Sequence, residues 1–342
     1  MILLEDIKHK FVVTRDRIRF ILARIIIDRK LSGRVKFPLV TNSVLFIRMD
    51  GKVGDTVVSS FVYRALKGAF PEMRVAVLTL PNVDGIYRNN PFIDEIYHLK
   101  KRPGFSLIRE FCKSIPHYET VVFPVRWLKP RDLYLLDQLD PSYIIGREEG
   151  LNLVNILIDK GNEATHGAKI FEEVLSVFGV TSYDHSYFIQ WSNDVESDVA
   201  DFINNLGQDY IAINPYGNAK SRKIGADKLG QMIQRLNEQY PQYALVILAP
   251  PDLREEVRAV LEKSPTDNVT IMESANSIDH VMSLIAHSKL LVSVDTGTVH
   301  IATATKTPTV AIYRDDEDNY KRWHPNSNIA RAVFGRPPRS DY

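Results

Sequence analysis

The sequence predicts an α/β protein: two Rossmann-like domains whose parallel sheets face a common interdomain cleft. Three observations predict it. In residues 43–60 (SVLFIRMDGKVGDTVVSS) an apolar strand runs into a glycine-bearing loop, and a helix opens near Asp55. In residues 290–304 (LLVSVDTGTVHIATA) a second apolar strand runs into Asp295-Thr296-Gly297-Thr298 and a small-residue helix starts at once. Around both turns, strands alternate with helical stretches, the pattern of parallel sheets with right-handed crossovers. Open parallel sheets hold ligands at the carboxyl ends of their strands, where both turns lie, so the two sites are expected to look into one cleft.

Composition fits this picture. At 342 residues the chain is long for one core and suits two domains. The 44% hydrophobic and 25% charged residues are those of a soluble globular protein. With 43 Lys and Arg against 42 Asp and Glu, no overall basic excess points to nucleic acid. The single cysteine, Cys112, excludes an intramolecular disulfide and suits a reducing compartment. No signal-peptide pattern and no bilayer-length apolar run is present, so a cytoplasmic enzyme is expected.

The elements follow in order. Residues 1–40 form a basic, amphipathic extension, in which Arg17, Ile18, Phe20, Ile21, Leu22, Arg24, Ile25 and Ile26 give an apolar stripe flanked by cations. Such a stripe either meets anionic lipid on the inner face of the cytoplasmic membrane, through residues 8–36, or docks on the protein's own body. Residues 41–190 read as a first domain: strands at 44–47, 75–80, 93–99, 120–123 and 143–146, and helices from Asp55, at 105–115 and at 131–138. A longer helix at 166–178 ends on Gly179. After a linker-like stretch at 191–198, residues 191–342 repeat the pattern. Strands are expected at 210–214, 244–249, 269–272, 290–294 and 309–313, and helices at 226–238, 253–261 and 278–286. Beyond Pro325 only a short tail with prolines and arginines is left.

The chemistry follows from the turns. A strand-to-helix junction aims unpaired backbone N–H groups and the positive helix end at one spot, a seat for a diphosphate. Thr296, Gly297 and Thr298 would supply it; an ordinary N-cap at Asp295 or Thr296 is the plainer reading. Asp55, at the other turn, is an N-cap or a general base, with Asp50 as its competitor. Lys220, Arg222 and Lys223 form a cationic run after the strand at 210–214, suited to phosphate or simply solvated.

Three segments, MDGKVGDTVVSSFVYRALKGAFPEMRVAVLT, NPYGNAKSRKIGADKLGQMI and SVDTGTVHIATATKTPTVAIY, resemble in order and spacing the bacterial heptosyltransferases, glycosyltransferase family 9. The resemblance runs from about Ser43 to Pro325. It implies a GT-B fold, with an acceptor-binding first domain and a nucleotide-sugar-binding second domain. It implies an inverting, metal-independent transfer of heptose from ADP-heptose to the lipopolysaccharide core, an anionic lipid-linked acceptor, and no cofactor. By the same resemblance Asp55 is the base, Arg222 stands where the family commonly has a phosphate-binding lysine, and Asp252 holds the ribose. His300 matches the family motif and is either placed, with Asp295, at the nucleotide or a buried structural histidine; His166 is read as scaffold. The chain departs from the family in having Lys223-Ile224-Gly225 where Trp-Pro usually follows the lysine, and an acidic run, Asp315 to Asp318, where a small turn is usual. That run is expected to be a solvated loop over the nucleotide site. The end lacks the closing helices that commonly cross back to the first domain, a packing role the N-terminal extension would fill. Arg48, Lys52, Arg126 and Lys129, near strand ends, are the candidates for acceptor charges.

Three rival readings remain at this level. A nucleotide-sugar epimerase of the same fold needs no acceptor, and a non-catalytic sugar-nucleotide-binding protein turns nothing over. A nicotinamide dehydrogenase is disfavoured because Gly51-Lys-Val-Gly54 is not the G-x-G-x-x-G fingerprint.

Overall fold

The computed structural model describes residues 15, 18–31, 35–158, 165–217, 222–263 and 268–335. Helix α1 (18–27) precedes a first run of β1 (Ser43–Arg48), α2 (Val53–Val58), α3 (Phe61–Ala69), β2 (Arg74–Thr79), α4 (Asp84–Arg88), β3 (Glu95–His98) and α5 (Phe105–Ser114). The run closes with β4 (Thr120–Phe123), α6 (Pro130–Leu139), β5 (Tyr143–Gly146), β6 (Ile156–Leu157) and α7 (Ala168–Val177). A second run holds α8 (Asn193–Leu206), β7 (Tyr210–Asn214), α9 (Ala226–Gln239), β8 (Ala244–Ile247), α10 (Arg254–Lys263) and β9 (Val269–Thr270). It ends with α11 (Ile278–His287), β10 (Leu290–Val294), α12 (Gly297–Thr305), β11 (Thr309–Arg314), α13 (Glu317–Trp323) and β12 (Ala330–Gly335).

The strands make two six-stranded sheets, ordered β3-β2-β1-β4-β5-β6 and β12-β11-β10-β7-β8-β9, with every pair parallel. Counted from its own first strand, each sheet has the doubly wound order 3-2-1-4-5-6, or its reverse listing, so each has one switch point. In the first it lies between β1 and β4, in the second between β7 and β10. Central strands are apolar through their middles without alternation, as burial on both faces requires: all six residues of β1 and all five of β7 are buried, with polar residues, Ser43, Arg48 and Asn214, only at their ends.

The two halves pack directly on each other through α2 against α12 and α4 against α11. Gly54 and Gly297 let α2 and α12 approach. A Cβ on Gly54 would lie 2.9 Å from Cδ2 of His300, and one on Gly297 would lie 3.0 Å from the Gly54 amide nitrogen. A side chain at either place would force the helices apart.

Four expectations are corrected. The stretch at 191–198 is no linker: it opens α8, with Ser192 accepting from the Val195 N–H as N-cap and Gly207 as the left-handed C-cap. The acidic run is not a loop, because Asp316 caps α13 and Glu317 and Asp318 sit in its first turn, where helix dipoles favour acids. The C-terminal tail pairs in parallel with β11 as the edge strand β12. The described part of the N-terminal extension docks its helix on the first half and does not bridge the two. Phe20, Ala23 and Ile27 pack on the core of the first sheet, and Arg29 pairs with Asp137 and Asp140 at the end of α6. No helix among the described residues is long and apolar enough to cross a membrane.

Candidate functional site

A cleft of about 770 Å³ lies between the sheets, lined from the first half by Lys52, Val53, Gly54, Asp55 and Asn82. From the second half it is lined by Asn214, Arg222, Asp252, the Ala275–Ile278 stretch, Asp295 to Thr298, His300 and Asn319 among others. Both switch points therefore open into one space.

Asp55 sits in the first turn of α2, its carboxylate 3.7 Å from Nζ of Lys52. Beneath it, Arg48 is buried, donating from Nη2 to the Asp55 carbonyl at 2.9 Å, lying 3.3 Å from Asp50 and 4.9 Å from the centre of the Phe171 ring. Burial raises the Asp55 carboxyl above the usual carboxylate range, and the Asp50 charge raises it further against the pull of Lys52 and Arg48. Such a shift suits a base that works near neutral pH. Asp50 is turned to Arg48 and does not line the cleft.

Across the cleft, Thr296 is the N-cap of α12 and makes no side-chain cap bond. The Val299 amide donates to the Thr296 carbonyl at 3.1 Å, so the donors that helix end offers a ligand are the Gly297 and Thr298 amides. The Thr298 hydroxyl is held inward by Asn214 at 2.9 Å and Ser293 at 2.7 Å, which fixes the turn between β7 and β10. Arg222 reaches the same place: its Nε lies 3.4 Å from Oδ2 of Asp295 and its Nη2 3.3 Å from Oδ1 of Asn319, which itself donates to Asp295 at 2.8 Å. Burial raises the Asp295 carboxyl, and Arg222 opposes the rise.

The expected residues separate into groups. Asp55, Lys52, Arg222, Asp252, Asp295, Thr296, Gly297, Thr298 and His300 share the cleft. Lys223 turns away to Glu256, at 2.7 Å, and over the Tyr216 ring. Lys220 lies outside the described residues. Arg48 is a correction: with its guanidinium buried under Asp55 it cannot meet a ligand in solvent. Arg126 and Lys129 follow β4 at the carboxyl edge but outside the cleft lining, Lys129 as N-cap of α6. Asp295 pairs with Arg222 within the cleft, beside the amino end of α12. His300 is buried against Gly54, and burial lowers its imidazole to about 3; no described residue bonds its Nδ1. His166 packs on His324, the ring centres 4.5 Å apart, where burial lowers it to about 4.

Sequence reasoning missed Asn214 and Asn319. Asn214 stands at the carboxyl end of a strand beside a switch point, a signal that was readable. Asn319 reaches the site only because Asp316 caps α13, which no spacing shows.

The sequence profile of glycosyltransferase family 9 (heptosyltransferase) matches residues 168–340. An Escherichia coli (strain K12) protein provisionally named lipopolysaccharide heptosyltransferase 4 is 24% identical over 332 residues, covering 93% of this chain and 88% of that protein. The crystal structure of the glycosyl transferase family 9 from Veillonella parvula DSM 2008 superposes with TM-score 0.74 at 18% identity, covering 88% of each chain. The structure of E. coli heptosyltransferase WaaC with ADP superposes with TM-score 0.61 at 17% identity, covering 86% of this chain and 91% of that one. The architecture is GT-B.

Proposed function

The chain belongs to glycosyltransferase family 9, the heptosyltransferases, and on that premise we propose that it is an inverting, metal-independent enzyme that moves a heptose from ADP-heptose to a lipopolysaccharide core acceptor. One observation carries the reading: Asp55 and the amino end of α12 open into the same cleft, brought together by the contact of Gly54 with Gly297.

The reaction then runs across that contact. The Asp55 carboxylate takes the proton of an acceptor hydroxyl as its oxygen attacks the anomeric carbon of the donor. The bond from that carbon to the diphosphate breaks on the opposite face, which inverts the configuration. Negative charge collects on the departing diphosphate, where Arg222 and the first amides of α12 meet it. These fixed donors do the work a divalent metal would otherwise do. Asp252, which lines the cleft just beyond β8, accepts from the ribose hydroxyls in this reading. ADP as the nucleotide is supported by the WaaC structure with ADP, which shares this fold. The acceptor, a saccharide built on lipid, places the enzyme at the inner face of the cytoplasmic membrane.

The test is transfer by the purified chain from ADP-heptose to heptose-deficient lipopolysaccharide in the presence of EDTA, with the product's anomeric configuration read by NMR. Inverted product that forms with EDTA and is absent without acceptor is expected. An altered sugar released without acceptor, a need for magnesium, or no turnover with any ADP-sugar would overturn the reading.

A further inference from the structure

Helix α1 is apolar on two opposite sides. Phe20, Ala23 and Ile27 pack on the first-sheet core, while Ile18, Ile21, Leu22, Ile25 and Ile26 face outward with 47–81% of their surface exposed. At about 100° per residue the two sets centre on opposite directions of the helix. A surface helix needs one apolar stripe to hold its place; a second one calls for a second neighbour.

The rim of the outer stripe is cationic. Arg19, Lys30 and Lys36 are exposed there, while Arg24 is engaged by Asp28 and Gly150 and Arg29 by Asp137 and Asp140. Asp28 turns inward, its side chain 2% exposed and its carboxylate accepting from the Leu153 N–H at 2.9 Å. Two copies meeting stripe to stripe would set these cations against each other, whereas an anionic bilayer complements both stripe and rim.

A second feature joins the same surface. Trp127 is 80% exposed and held at φ 62°, a left-handed conformation that bulky residues avoid. Its N–H donates to Oε2 of Glu148 at 2.6 Å, and Arg24 donates to the carbonyl of Gly150, so Trp127 and α1 flank one loop. That loop leaves β5 at the carboxyl edge of the first sheet, the edge on which the cleft opens.

We propose that the chain docks on anionic lipid bilayers through the outer face of α1, lying in the headgroup plane, with Trp127 as a second anchor. The proposal deepens the lipid-linked acceptor reading by naming the surface and its lipid, and it is tested without donor or acceptor, so either can fail alone. Full-length protein is sedimented with vesicles of phosphatidylcholine, with or without phosphatidylglycerol. Binding that requires phosphatidylglycerol, weakens with salt, and falls roughly tenfold or more in I25D/I26D is expected. R19E/K30E, which leaves the stripe intact, is expected to lose the dependence on phosphatidylglycerol. Urea melts matching the wild type check that both variants fold. Absence of binding to phosphatidylglycerol vesicles, or I25D/I26D binding as the parent does, overturns the proposal. A dimer in gel filtration that I25D/I26D dissociates, with vesicle binding unchanged, overturns it in favour of a second copy on the stripe.

Discussion

Gly297 meets Val53 across the interface between the halves with no room for a side chain: a Cβ on Gly297 would lie 2.6 Å from Cγ1 of Val53. The contact sets the separation of Asp55, the proposed base, from the amino end of α12, the proposed anion seat. Replacing Gly297 by Ala should destabilise the protein by about 1–3 kcal/mol through overpacking. It should also lower kcat more than it weakens nucleotide binding, because the two halves of the site move apart. Thermal melts and steady-state kinetics check both, and a variant with parental kcat would refute the second.

Asp55→Asn removes the base but keeps the size of the side chain and the first turn of α2. Loss of about 10²- to 10⁴-fold in kcat is expected, with ADP-induced stabilisation unchanged. Retained turnover would move the base elsewhere.

The pH profile should report the pairing of Asp55 with its neighbour. The Asp55 carboxyl is raised above the usual range by burial and then by Asp50, so activity falls as pH drops through that raised value. Asp50→Asn removes the like charge, and the acid limb of kcat/KM should shift to lower pH. A limb that stays in place or moves up contradicts the assignment.

Arg222 and Lys223 are adjacent in sequence and part in space. Arg222→Ala should lower kcat/KM for the donor by about 10²-fold, whereas Lys223→Ala, whose ammonium is turned to Glu256, should change it little. The reverse order would place the diphosphate on the other side of the loop.

His300 is buried neutral, lowered to about 3 from the ordinary 6.5. Between those values the unfolded chain binds the proton and the folded one does not, so stability falls as pH drops below about 6.5. The loss is about 1.4 kcal/mol per pH unit from this residue. His300→Gln should lessen the fall in urea-melt stability between pH 6.5 and 5, leaving the share that His166 contributes, and an unchanged slope would refute it.

Much of this site was legible before any coordinates, for a physical reason. At β1 and β10 an unbroken apolar strand, a small-residue turn and a helix leave little choice of local structure, and function needs that same geometry. Elsewhere the signals were weaker. β6 has two residues, too few to show any period, and β12 carries Arg331 and mostly exposed side chains at a sheet edge. α8 buries only Val199 fully, so its apolar stripe is thin, yet Ser192 and Gly207 mark its ends. The place of Arg48 was not readable, since a cation at a strand end is more often solvated than buried. Of the alternatives sequence left for α1, own body or outside partner, the first is observed, because on its inner side the helix is docked.

With Arg222 as the proposed holder of the donor diphosphate, the link from Asp316 through Asn319 to Asp295 and Arg222 has a thermodynamic effect on donor capture. A free arginine side chain loses up to about 2 kcal/mol of rotamer entropy when it is immobilised. Here the carboxylate and the amide hold the guanidinium still before any phosphate arrives, so that loss falls on folding and not on association.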